Sequence, residues 1–458
     1  MNIALLGHRG VPNAYGGFET FAEELSTRLT ELGYRVVCYC RTNYYTEHPH
    51  RYKGVVLVYL HTLPWKSFNT LYHTFASALH MIYNNTADIA IVVNVGNAPA
   101  ALLLKLFGKK VVLCVDGLDW QRKKWGPVAR LYLWACSYLA PYAAHRVVTD
   151  AASVHDWYKS VRGVESIMIP YGTDSADDVY DPEVLKKYGL SPKKYFIYVA
   201  RFEPEYNPSY VVQEFVRAKS PYPLVMVGDN NTNPEYVQRL RALALKANVI
   251  FTGTVFGTAY KTLLKDSLAY IRAAEVGGAS PAVIEAMGRG VCVVANDKAE
   301  NREMLGDHGM YYMLQHAPSS LHERTKFLYP QLSQALRFII QRPQEARVRG
   351  AQLELRAKRL YTWDHITEEY ETLCKSFITP PRMPCILITG AGGMLGKELY
   401  DYFSSNFRVV ATDIRLTSHY ISYLDVRKAR EYEARVAIMK PDYIFHLAAI
   451  TSLEQCEQ

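Results

Sequence analysis

Four stretches of this 458-residue chain combine residue types and spacings that can do chemistry. Near the start, Gly7-His8-Arg9-Gly10 leads to Tyr15-Gly16-Gly17-Phe18 and then to a helical pattern. Paired glycines before a helix let backbone amides approach an anion, and the helix dipole adds roughly half a positive charge there. The same pair also serves as an ordinary structural turn. Arg201 closes an apolar run in VARFEPEYNP, where a guanidinium can reach a diphosphate across a cleft between domains. Further on, Glu275-Val-Gly277-Gly278-Ala279-Ser280 sets a glycine turn before a helix that carries Glu285 one turn in. The turn offers amides to phosphate or hydroxyl oxygens, and Glu285 can accept bonds from two vicinal hydroxyls. A solvated carboxylate on the helix surface is the plainer reading of Glu285. Last, Gly390-Ala-Gly-Gly393-Met-Leu-Gly396 follows an apolar run and opens a helix, and Asp413 ends the next run seventeen residues later. That is the dinucleotide arrangement, with pyrophosphate on the helix N-terminus and the acid on the adenine ribose. Asp413 favours NAD over NADP, while Arg415 leaves room for a 2′-phosphate, so NAD(P) is the cofactor expected at residues 385–458.

Other chemistry is missing or weakly signalled. No Asp-x-Asp pair occurs, so the usual carboxylates for a metal-bridged substrate are lacking and no metal is expected. Arg201 and helix N-termini would then carry the charge of a leaving diphosphate. The histidines lack ligand spacing; His8, His48, His50 and His61 read as structural or surface groups. Eight cysteines without a Cys-x-x-Cys read as reduced, buried thiols of a cytoplasmic protein.

Charge is uneven. Residues 1–170 hold 17 Lys and Arg against 11 Asp and Glu, whereas residues 171–376 hold 26 against 24 and residues 377–458 hold 9 against 9. The excess gathers in Lys105, Lys109 and Lys110 and in Arg122, Lys123 and Lys124. Basic residues beside Phe107 and Trp125 are expected to meet an anionic membrane or a pyrophosphate-linked acceptor. A solvated face is the bland alternative. The tyrosines are scattered and form no RNA-binding signature, so nucleic acid is not an expected partner.

The elements that must position these groups follow from periodicity. Composition, at 49% hydrophobic and 21% charged, is that of a globular chain and excludes disordered, collagen-like and coiled-coil classes. No apolar run reaches the about 18 residues of a spanning helix, and the N-terminus lacks the features of a signal peptide. Strand-like runs alternate with helical patterns almost throughout, as in parallel sheets built from βαβ units. The fold class expected is α/β, with two doubly wound Rossmann-like domains and an incomplete third. The boundaries read as 1–170, 171–377, a proline-rich linker at 378–384, and 385–458.

The residues also carry a resemblance. The stretches GHRGVPNAYGGFET, VDGLDWQRKKWG, VARFEPEYNP, VGDN, FTGTV and EVGGASPAVIEAMGRGVCVVA occur in order across residues 1–377. This part resembles family 4 retaining glycosyltransferases of the two-Rossmann-domain GT-B type. Its N-terminal half is similar to bacterial rhamnosyltransferases of polysaccharide assembly. The resemblance implies sugar transfer from a nucleotide-sugar donor with retention of configuration. Gly16 and Gly17 match the loop near donor phosphates and acceptor, Arg201 the arginine that neutralises the diphosphate, and Glu285 the second glutamate of the E-x7-E motif. Asp116 falls where relatives place a residue close to the reacting sugar. Two positions depart from the family pattern: Tyr206 stands where lysine is usual, and Gly277 stands in place of the first motif glutamate. Sugar contacts are therefore assigned to Gly277, Gly278, Ala279 and Ser280.

Residues 385–458 resemble the N-terminal part of extended short-chain dehydrogenases, including the reductase that makes dTDP-rhamnose; the Tyr-x-x-x-Lys pair of that family does not occur there. The leading expectation is therefore a metal-independent transferase at the inner face of the cell membrane. It would move rhamnose from dTDP-rhamnose to a glycan or polyprenyl-pyrophosphate-linked acceptor. The alternatives are a hexosyltransferase with a UDP or GDP donor, an NAD-dependent sugar-nucleotide reductase or epimerase, and an inactive binding module.

Overall fold

The computed structural model describes residues 1–449 other than 14–15, 63–67, 123, 175–179, 231–232, 246, 315–327 and 379–383. Most of the proline-rich linker therefore lies outside the described residues. The chain divides into two compact units, Met1–Cys374 and Lys375–Gln458.

Runs such as Ile3–Leu6 and Ile89–Val93 have no exposed surface. Apolar runs buried on both faces form parallel strands covered by helices on either side. The first sheet comprises β1 (Asn2–Leu6), β2 (Arg35–Arg41), β3 (Arg51–Tyr52), β4 (Val55–Leu60), β5 (Ile89–Val93), β6 (Lys110–Val115), β7 (Arg146–Thr149) and β8 (Ile167–Met168). Their order is β3-β4-β2-β1-β5-β6-β7-β8, and only the short β3–β4 pair is antiparallel. The second sheet comprises β9 (Phe196–Val199), β10 (Leu224–Val227), β11 (Val249–Gly253), β12 (Ala269–Arg272), β13 (Cys292–Asn296), β14 (Met310–Tyr312) and β15 (Leu328–Tyr329). It is ordered β11-β10-β9-β12-β13-β14-β15. In each sheet the strand order reverses beside the first strand, at β1 and at β9. Open α/β sheets bind ligands in the crevice beyond the carboxyl ends of the strands at such points. The loop 7–16 leaves β1 there, and Arg201 follows β9 there.

The two-residue strands β3, β8 and β15 are too short to show a period, and the sequence reading passes over them. The C-terminal tail of this unit is helical, at Leu332–Gln341, Pro343–Leu360 and Trp363–Lys375. One boundary needs correction. The sequence assigns the helix Trp363–Lys375 to the second domain, but it packs on the first. The Tyr370 ring lies 5.3 Å from that of Phe21, its hydroxyl is 3.3 Å from Cys114 Sγ, and Tyr34 donates to Glu371 at 2.6 Å. The chain crosses between domains twice at one place, where Thr173 N–H donates to Tyr361 O at 2.6 Å. The 171–377 segment is thus a domain plus a strap that returns to its partner.

The second unit is a four-stranded parallel sheet of β16 (Cys385–Thr389), β17 (Arg408–Asp413), β18 (Ile421–Tyr423) and β19 (Tyr443–His446), ordered β18-β17-β16-β19. The strand β18 is absent from the sequence reading. Its core is small, built on Ile386, Ile388, Ala391, Ala411 and Ile421. The seven described cysteines are free and buried. Among the described residues no helix is long and apolar enough to cross a membrane.

Candidate active site

The glycine turn at 277–280 is where the two domains of the first unit meet. Gly277 has φ +113° and open space around its Cα, whereas Gly278 is hemmed in: a Cβ there would lie 2.3 Å from Asp150 Oδ1. No residue with a side chain fits that approach. Gly278 N–H also faces the Asp116 carbonyl at 3.4 Å. On the other flank, a Cβ on Gly17 would stand 3.1 Å from Pro281, the first residue of the helix Pro281–Gly288. Gly16 caps the helix Gly17–Glu31 through its carbonyl, which accepts from Glu19 and Thr20. Ala279 and Ser280 are buried behind the turn, with Ser280 N–H against Met304 Sδ at 3.3 Å. The structure thus brings together Gly16, Gly17, Asp116, Gly277, Gly278, Ala279 and Ser280.

It also adds Asp150, which sequence reasoning missed. Asp116 and Asp150 each follow a strand end, and those ends, Val115 of β6 and Thr149 of β7, are register partners. Two adjacent parallel strands each running into aspartate was the available signal. Asp150 is 7% exposed, and neither carboxylate oxygen has a hydrogen-bond partner. Burial, and then the neighbouring Asp116, push its pKa well above the usual carboxylate range. Asp116 Oδ1 is likewise unpartnered. Burial, then Asp119, push Asp116 up to about 7, against the opposing pull of Arg122. Between the two acids lies a cavity of about 20 Å³ lined in part by Phe18, Phe21, Tyr171 and Tyr370, room for about one water. Burial thus disfavours the charged form of both acids, and in Asp150 the backbone amides of Asp150 and Ala279 oppose it only in part.

Arg201 is exposed, its Nη2 3.4 Å from the Tyr206 hydroxyl. The backbone links this loop to the glycine turn, since Glu275 N–H donates to Glu205 O at 2.9 Å. The Glu275 side chain accepts from Asn207 at 3.0 Å. Glu285 is half-buried on the helix Pro281–Gly288 rather than on an open surface, and Oε2 accepts the Tyr260 hydroxyl at 2.6 Å. Burial raises its pKa, offset in part by that bond.

Three residues of the basic runs turn to partners within the chain. Lys105 Nζ donates to the carbonyls of Tyr142 and Ala144 at 2.7 and 3.0 Å, closing the end of the helix Pro127–Ala143. Lys109 is buried and donates to Ala87 O at 2.9 Å. Arg122 turns into the cleft and pairs with Glu205 at 2.8 Å. Lys123 lies outside the described residues. Among the described residues, backbone carbonyls and the cleft carboxylate thus engage Lys105, Lys109 and Arg122. His8 is a buried structural group, as read: it lies 3.2 Å from Leu5 O, and burial pushes it down to about 3. Among the described residues no group of three or more His, Cys, Asp or Glu is placed to hold a metal ion.

In the second unit, Gly393 begins the helix Met394–Phe403 in extended backbone with no side-chain cap. A Cβ on Gly396 would meet Ala391 O at 2.1 Å, so helix and turn pack closely only with glycine. Gly390 turns at φ +75° beside Ala448. Asp413, at the end of β17, accepts from Gly392 N–H and Arg415 N–H, both at 2.9 Å. These residues fit the adenosine half of NAD(P): an uncapped helix N-terminus for phosphate and an acid fixed beside the turn.

Comparison with known proteins agrees with this geometry. Residues 181–330 match the family model for glycosyl transferases group 1, residues 1–174 that for a domain of unknown function, DUF1972, and residues 383–458 that for the RmlD substrate binding domain. No curated protein matches the chain. Among solved structures, sucrose-phosphate synthase from Thermosynechococcus elongatus is similar at 17% identity and TM-score 0.68, covering 82% of this chain and 99% of its own. HepE from Anabaena, in complex with UDP and glucose, is similar at 15% identity and TM-score 0.65, with 82% and 100% covered. An α,α-trehalose-phosphate synthase (UDP-forming) from Burkholderia vietnamiensis is similar at 11% identity and TM-score 0.59, with 82% and 99% covered. At these identities the likenesses establish the fold, and the match at 181–330 supplies the activity class. The chain is a glycosyltransferase of GT-B fold carrying a group 1 glycosyltransferase domain.

Proposed function

We propose that the first unit is a retaining transferase that takes a sugar from a nucleotide-sugar donor held between its two domains. The observation that carries this reading is the seating of the 277–281 turn against Gly17, Asp116 and Asp150 of the opposite domain. Arg201 is tied to the same turn through the Glu205 backbone. In the reaction the sugar C1–O bond to the diphosphate breaks as the acceptor hydroxyl oxygen bonds to C1 on the same face. The acceptor proton passes to the departing diphosphate oxygen. Arg201 and the amides at 277–280 meet the negative charge that develops there, a role that needs no metal. Glu285, kept in place by Tyr260, accepts from a ribose hydroxyl, and Asp116 orients a hydroxyl of the reacting sugar.

The donor reading is rhamnose from dTDP-rhamnose, supported by the rhamnosyltransferase-like motifs of residues 1–170 and the match of residues 383–458 to the RmlD substrate binding domain. A UDP- or GDP-hexose is the second reading, favoured by HepE, whose structure holds UDP and glucose. The acceptor reading remains a glycan or lipid-linked pyrophosphate at the inner face of the membrane. The second unit is read as a holder of NAD(P), through Gly390, Gly393, Gly396 and Asp413. Bound there, the nicotinamide nucleotide would supply hydride chemistry. Release of free nucleoside diphosphate from a panel of dTDP-, UDP- and GDP-sugars tests the transferase reading. Release from dTDP-rhamnose at the highest kcat/KM is expected, and no release from any donor would refute it.

A further inference from the structure

Two guanidinium groups converge on one phenol in the cleft. Arg122, from the first domain, donates through Nη2 to the Tyr206 hydroxyl at 2.7 Å, and Arg201 Nη2 lies 3.4 Å from the same oxygen. Both guanidinium carbons also stand about the Tyr206 ring, at 5.9 and 6.0 Å from its centroid. Burial, then the proximity of Arg122 and Arg201, push Lys124 down to about 8, which places a third cation in the same field. Like charges gathered in a part-buried cleft repel one another, and the arrangement is relieved by an anion with several acceptor oxygens. The carboxylates present are few. Glu205 Oε1 takes Arg122 Nη2 and Nε at 2.8 and 2.9 Å, and Asp119 is farther at 3.4 Å. Glu205 and Asp119 hold the Arg122 guanidinium in place and keep it charged, while Arg201 and Lys124 add positive charge beside it.

We propose that Arg122 is a diphosphate-binding residue, acting from the opposite domain beside Arg201, with the Tyr206 hydroxyl positioning both guanidinium groups. This rests on the donor-site reading above and adds to it a cross-domain contact. The contact ties binding of the nucleoside diphosphate to the meeting of the two domains.

The test measures the affinity of the full chain for dTDP and UDP by calorimetry. Arg122→Ala alone leaves Glu205 buried and unpaired and risks the fold, so the working variant is Arg122→Ala with Glu205→Gln. Its affinity for the nucleoside diphosphate is expected to fall tenfold or more, while thermal unfolding stays near that of the parent. Adding Tyr206→Lys to that variant returns a cation to the site and is expected to recover affinity to within threefold of the parent. A loss of less than threefold in the paired variant would overturn the assignment, as would a loss that Tyr206→Lys leaves uncorrected. A loss confined to farnesyl diphosphate, a soluble stand-in for a lipid-linked acceptor, would also overturn it. Arg201→Ala separates the two levels. If it weakens nucleoside diphosphate binding and the Arg122 variant does not, only this inference falls. If neither variant weakens binding, the donor-site reading falls as well.

Discussion

The chain uses one arrangement twice and settles it differently each time. In both units an aspartate at the carboxyl end of a parallel strand meets a glycine turn that opens a helix. Asp413, the last residue of β17, has its two oxygens committed to the amides of Gly392 and Arg415 at 2.9 Å. Asp150, after β7, presses on Gly278 with neither oxygen bonded and 7% of its surface exposed. A satisfied carboxylate is held in a fixed direction at little cost, whereas a buried unpaired polar group costs about 1–3 kcal/mol. The first arrangement suits an acid that waits for a ribose. The second, shared with Asp116, is a local loss of stability of the kind proteins tolerate at working sites. The turns also differ in reach: the 390–393 turn meets an acid of its own sheet, and the 277–280 turn meets an acid of the facing domain.

The comparison can be broken most severely at the glycine. Gly278→Ala would drive a methyl group into Asp150, and kcat/KM for the best donor is expected to fall about 10²-fold or more. Removing the obstructing acid in Gly278→Ala/Asp150→Ala should restore folding but not activity. A single variant within threefold of the parent would show that the close approach carries nothing.

Next in size is the matching change in the other unit. Asp413→Ala removes two anchoring bonds and the acid meant for the ribose. NADH affinity, followed by fluorescence, should fall roughly tenfold to a hundredfold, equivalent to about 1–3 kcal/mol. Sugar transfer should be unaffected. Equal NADH affinity in parent and variant would withdraw Asp413 from the cofactor site.

A smaller effect is read in pH. Asp116 is pushed up to about 7 and Asp150 is raised well above the usual range, so the folded chain holds protons that the unfolded chain has released by about pH 5. Folded-state pKa values above the unfolded ones mean that stability is greatest at low pH and declines as pH rises from about 4 through 7. Urea unfolding of residues 1–378 at pH 5 and pH 8 should show this decline, and Asp116→Asn with Asp150→Asn should flatten it. A parent more stable at pH 8, with no change in the paired variant, would contradict the raised pKa values of the two acids. The smallest expected effect is that of deleting everything after Ile378. Transfer should stay within about twofold, since the strap Trp363–Lys375 that closes the first unit is retained whole. EDTA should be equally silent in the same assay.

Much of the fold was legible beforehand because it depends on local patterning. Continuous apolar runs mark strands buried on both faces, and periodicity places the helices Asn69–Asn84 and Ala98–Leu106 to within a residue. Of the candidate site, the glycine turns, Arg201 and Asp413 were legible because each is a short-range signal, a strand end followed by a turn and a helix. The inward contacts of the basic runs were not legible, for a physical reason. Lysine and arginine are long enough to reach inward, and composition does not reveal that Lys105 closes a helix end or that Lys109 is buried.

What the sequence determined by itself is the alternation of strands and helices, the placing of glycines before helix N-termini, and hence where backbone amides gather. These are rules of φ/ψ, side-chain period and hydrogen-bond satisfaction that act over a few residues. What only the tertiary structure decided is which groups meet across the domains: Asp150 with Gly278, Arg122 with Glu205 and Tyr206, and the final helix with Phe21. Those partners lie tens to hundreds of positions apart, where no spacing rule links them. Their contact is set by how two separately formed sheets dock, and with it the burial that raises one acid and the charge that one arginine brings to another.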